Sequence, residues 1–138
     1  MFQYANRSLR LFLFQTKLTD LICPGGQPCN AHRATTTLAD LATLLSAGFA
    51  APGTRVNVPG LGPEDTAHLN RGLARMSELC SLAEEHPRLT LLVDAEYTYM
   101  NPGISAVALA MMMAHNGERP AVGNTYQCYL KVRSVRFF

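Results

Sequence analysis

The sequence predicts an α/β domain built on parallel strands. Short apolar runs bounded by turn residues alternate with longer segments of helical period. The helical segments between runs are long enough to serve as crossovers, which parallel strands require and hairpins do not. Of the 138 residues 48% are apolar and 16% charged, a balance that buries a core. At about 150 residues per domain, the length fits one domain.

Leu9–Leu18 (LRLFLFQTKL) reads as the first strand, and Cys23–Asn30, with two prolines and two glycines, as a loop. Thr36 or Thr37 caps a helix with Asp40 in its first turn. Leu38, Leu41, Ala42 and Leu45 line its inner face, and Gly48 stands where a C-terminal stop belongs. Arg55–Val58 is a short extended piece within a region rich in proline and glycine. The clearest helix follows, with Pro63 in its first turn, Glu64 and Asp65 at the positive end of the dipole, and Pro87 as its stop. Leu69, Leu73, Met76 and Cys80 form its core-facing stripe. Leu89–Val93 (LTLLV) is a buried strand, Pro102 and Gly103 open an apolar helix through Ala114, Gly117–Pro120 turns, and Ala121–Thr125 is a further strand.

Several function classes are disfavoured. Twelve basic and ten acidic residues, a net charge of +2, give no basic face for nucleic acid. No run of 18 uncharged apolar residues indicates a transmembrane helix. Cys23, Cys29, Cys80 and Cys128 contain no C-x-x-C, and His32, His68, His86 and His115 show no ligand spacing, so no metal site is expected. Reduced, partly buried thiols in an intracellular protein are the expectation. Met1–Thr19 is basic (Arg7, Arg10, Lys17) and free of acids, as a mitochondrial presequence is. A buried strand explains its apolar run equally well.

Functional groups in parallel α/β folds gather at the C-terminal ends of strands. Lys17, Asp94 and Asn124 stand there. Singly, an aspartate caps a loop and a lysine is solvated. Three on one edge outline a site.

VDAEYTYMNPGIS (Val93–Ser105) and NTYQCYLK (Asn124–Lys131) resemble the proline dehydrogenase family, FAD-dependent mitochondrial or bacterial enzymes that oxidise L-proline to 1-pyrroline-5-carboxylate. QTKLTDL (Gln15–Leu21) resembles the family's lysine-bearing strand, with Asp20 in place of the usual alanine, and the helix around Leu61–Glu85 is similar to the eukaryotic branch. The resemblance implies that Lys17 neutralises the proline carboxylate, that Asp94 orients basic groups beside the flavin, and that Asn124 offers its amide to FAD. It also implies a quinone or other electron acceptor, a mitochondrial location on the matrix side, and allows peripheral association with the inner membrane. The family fold is a (βα)8 barrel of about 250 residues, so residues 1–138 correspond to a single partial barrel domain of about three βα units. The resemblance runs over about 17–131, and residues 132–138 (VRSVRFF) are atypical. Neither the family's later basic strand motif nor its paired arginines has a counterpart. A fragment or truncated gene product, inactive by itself and binding FAD weakly or not at all, is therefore expected. Hydroxyproline oxidation within the same family is the enzymatic alternative, with Tyr126–Tyr129 slightly favouring proline. A non-catalytic truncated α/β module is the alternative of another class.

Overall fold

A hydroxyl opens the first helix. Thr37 is extended (φ −78°, ψ 159°), its Oγ1 accepts from Asp40 N at 3.1 Å, and its hydroxyl donates to Asp40 Oδ2 at 2.6 Å. This reciprocal cap starts α1 (Leu38–Ala50), in a computed structural model that describes residues 18, 19, 21, 36–51, 53–95 and 97–128. α1 buries Leu41, Ala42, Leu45 and Phe49. Gly48, expected as its stop, lies inside the helix. A Cβ there would sit 2.8 Å from Val56 Cγ2 and 2.9 Å from Leu73 Cδ1, so the glycine serves close packing. The chain leaves the helix through extended Ala51 and turns at Gly53, whose φ is +83°.

The extended piece around Arg55–Val58 joins no sheet among the described residues, yet Val56 and Val58 are buried. Asn70 replaces the missing partner strand. Val56 N donates to Asn70 Oδ1 at 2.7 Å, and Asn70 Nδ2 donates to Val56 O and Thr66 O, each at 2.8 Å.

α2 (Pro63–Glu85) follows, with Gly62 as N-cap and Pro63 in the first turn. Leu69, Leu73 and Cys80 of the expected stripe are buried, and Met76 packs half-buried against the same core. His86 ends the helix at φ −112°, ψ 98°, the extended backbone that a residue before proline favours. The last turn carries no basic residue. Arg119 supplies the cation from far along the chain, donating to Ala83 O, to His86 O at 3.4 Å and to Leu89 O at 3.0 Å.

β1 (Leu91–Val93), α3 (Asn101–His115) and β2 (Val122–Asn124) form a parallel βαβ unit, with Leu91 opposite Val122, Leu92 opposite Gly123 and Val93 opposite Asn124. The expected five-residue strand is shorter because Leu89 N closes a turn on His86 O at 2.8 Å while Arg119 takes Leu89 O. It is also not buried throughout: Leu91 and Val93 pack on the core, whereas Leu92 points away and is 64% exposed. Asn116 repeats the Asn70 device, accepting from Val122 N and donating to Val122 O, each at 2.8 Å.

α3 packs most extensively on α1 and then on β2. Its buried residues include Gly103, Ala106, Ala108 and Ala110, small side chains that permit close approach, beside Ile104, Val107 and Met111. Its N-terminus is capped by Thr19, which is 2% exposed: Gly103 N donates to Thr19 Oγ1 at 3.0 Å, and that hydroxyl donates to Met100 O at 3.2 Å. The expected strand over Leu9–Leu18 lies outside the described residues except Leu18, which is helical and fully buried.

Asn70→Ala leaves the Val56 N–H and C=O without partners in a half-dry site. The expected cost is about 2 kcal/mol, read as a lower urea midpoint at unchanged slope.

Candidate functional site

The C-terminal edge of the two strands is where the β-ladder gives way to side chains. Thr125 N donates to Val93 O at 3.0 Å, the last ladder bond, and also lies 3.0 Å from Asn124 Oδ1. Beyond it, Ala95 N donates to Thr125 Oγ1 at 2.7 Å and Gln127 Nε2 donates to Ala95 O at 2.9 Å. Gln127 Oε1 accepts in turn from Asn101 Nδ2 at 3.1 Å, which ties the edge to the first residue of α3. Tyr97 and Tyr99 stack in the connecting loop with ring centroids 5.6 Å apart, and Tyr97 O accepts from Met100 N and Asn101 N at the helix entry.

Asp94 and Asn124 both stand on this edge, but the strand alternation gives their side chains to opposite faces. Asp94 shares its parity with exposed Leu92, is itself exposed, and lies with Oδ1 3.1 Å from Thr125 Oγ1. Asn124 pairs with Val93, whose side chain packs on the core, and it lines a cleft of about 80 Å³ with Leu38, Ser105, Leu109, Met112 and Tyr126. The expectation that the two converge on one pocket is therefore corrected: edge and face are separate coordinates, and only the edge is shared. Strand parity together with the register would have separated them. Lys17 lies outside the described residues.

A second polar cluster joins the far ends of α2 and α3. His115 is 8% exposed, its Nδ1 lies 3.2 Å from Glu84 Oε1, and its ring meets Phe49 edge-on at 5.8 Å. Nε2 is buried without a partner. A proton on Nδ1 serves Glu84 and leaves only a lone pair in the apolar surroundings, which costs less than an unmatched N–H. Sequence spacing carries no signal for this pair. Burial pushes the nearby Cys80 thiol up to about 11, and the Glu84 charge adds to the effect. Among the described residues no group of three or more His, Cys, Asp or Glu side chains could hold a metal ion.

A family model described as proline dehydrogenase matches residues 15–136. The chain belongs to that family. It is 46% identical over 71 residues to hydroxyproline dehydrogenase from Xenopus laevis, which covers 51% of this chain and 15% of that protein. It is 46% identical over 68 residues to mitochondrial proline dehydrogenase 1 from Homo sapiens, covering 49% and 11% respectively. Hydroxyproline dehydrogenase from Bos taurus is 44% identical over 82 residues, 57% of this chain and 18% of that protein. The matched segments thus span well under a quarter of these relatives. No solved structure gives a significant match.

The cleft beside Asn124 does not enclose the FAD that the family resemblance implies. It has about 80 Å³, whereas sites for drug-sized ligands need about 300–1,000 Å³. Asn101 Oδ1, an acceptor without a partner at this edge, is buried out of a ligand's reach.

Iodoacetamide at pH 8 should label exposed Cys128 in the native chain and spare Cys80, as peptide mapping will read. Unfolded Cys80 ionises near 9.0 and the folded thiol near 11, so the folded state keeps its proton longer. Stability from this group is full below pH 9.0 and should be lost as pH rises from 9.0 to about 11.

Proposed function

We propose that the chain is a segment of an FAD-dependent dehydrogenase of L-proline, contributing about three βα units to the family's (βα)8 barrel. The observation that carries this reading is a parallel β1–α3–β2 unit that presents Asp94 at its C-terminal edge, within a family match over residues 15–136. Active sites of such barrels are built at that edge.

Lys17 and Asp94 are the proposed substrate-site pair. A carboxylate substrate calls for a fixed cation, and a cation drawn out of water calls for an acid partner. The open face that Asp94 shares with Leu92 is the side on which that pair would meet substrate. Asn124, on the helix face, is assigned to the contact of β2 with α3 in preference to the flavin. The partners of the complete enzyme are L-proline and a quinone or other electron acceptor. Its proposed location is mitochondrial, which is what the human relative's name says of that protein, and the family resemblance implies the matrix side of the inner membrane. Hydroxyproline is the second reading, because the Xenopus hydroxyproline dehydrogenase matches at the same 46% identity as the human proline enzyme.

The 138-residue chain incubated with FAD should emerge from gel filtration without flavin absorbance and should show no proline-dependent dye reduction. Retained flavin would overturn the assignment of its pocket to residues outside this segment. In a chain completed by a relative's remaining residues, Asp94→Asn should lower kcat for proline by about 100-fold. Undiminished turnover would remove Asp94 from the site.

A further inference from the structure

Asp94 is an exposed side chain just beyond a strand, where an aspartate ordinarily turns freely among its rotamers. Here the surrounding groups are fixed on two sides. Ala95 N donates to Thr125 Oγ1 at 2.7 Å, and Ala95 O accepts from Gln127 Nε2 at 2.9 Å, so the backbone that follows Asp94 is held by side chains of the neighbouring strand's extension. Thr125 Oγ1 lies 3.1 Å from Asp94 Oδ1 and 3.1 Å from Val93 O. A hydroxyl has one proton and two lone pairs. Accepting from Ala95 N leaves that proton for either Val93 O or the carboxylate, and the bond to the charged acceptor is the stronger. Thr125 itself is anchored, since its N–H closes the ladder on Val93 O and its β-branch restricts χ1.

We propose that Thr125 is a positioning residue whose hydroxyl sets the direction of the Asp94 carboxylate on the open face of the sheet. Its bearing on catalysis rests on the reading of Asp94 as the site acid, whereas the positioning itself does not. The hydroxyl ties the carboxylate and the end of β1 to the neighbouring chain at once. Valine has the same shape and cannot do either.

The test is solution NMR on the 138-residue chain. In Thr125→Val the Ala95 amide should exchange about tenfold faster, and the two Asp94 Hα–Hβ couplings should collapse to a rotamer average. Thr125→Ser, which keeps the hydroxyl, should restore both. Should valine unfold the chain, Thr125→Ala carries the same expectation. Couplings that stay unequal while Ala95 exchange accelerates would reduce Thr125 to a strand fastener and overturn the proposal, as would two unchanged readouts. Neither measurement needs flavin or substrate. Failure of the reading of Asp94 as the site acid would instead appear as unaltered turnover in Asp94→Asn of the completed chain, and failure of the dehydrogenase reading as no proline turnover in that completed chain at all.

Discussion

A backbone that enters an apolar core must hand each N–H and C=O to a partner, and where its helices and short strands end this chain meets that demand with side chains. Its described sheet has only two strands of three residues each. Asn70 therefore serves both polar groups of Val56, and Asn116 serves both polar groups of Val122. Thr125 and Gln127 do the same for Ala95. Helix ends follow the rule as well, with Arg119 on the last carbonyls of α2 and Thr19 on the first turn of α3. Because these bonds cross between elements, they orient the helices as well as satisfying them.

The candidate edge follows from the same constraint. Strand pairing ends at Val93 and Asn124, and polar side chains continue it for one further residue on each strand. That continuation places an exposed carboxylate at a defined point on the side of the sheet that the helices leave open. On the proposed reading, membership of the proline dehydrogenase family gives the edge its meaning, since (βα)8 barrels do their chemistry there. The helix side, where Asn124 lines a small cleft, is a packing surface.

The parts legible in the sequence are those whose signal is local. Thr37 beside Asp40, Pro63 ahead of two acids, and the Leu69–Leu73–Cys80 stripe marked two helices, and Pro102 marked the third. The crossover length marked the strands as parallel. Gly48 was misleading because a helix-ending glycine and one that admits a neighbouring side chain look alike until the neighbour is known. Thr19, Asn70 and Arg119 were illegible for a different reason. The partners they tie across elements stand between 14 and 84 residues away, and no spacing rule reaches that far. The opposite facing of Asp94 and Asn124 was hidden in the register, which depends on which residue of one strand meets which of the other.

Leu92 and Gly123 occupy facing positions, and a Cβ built on the glycine would lie 2.9 Å from Leu92 Cδ2. The leucine thus lies down across its neighbour and fills the volume that a side chain there would claim. A side chain at 123 would press on the tip of Leu92, and because that leucine is 64% exposed it can swing toward solvent to make room, so the open face of the sheet yields where the helix face would not.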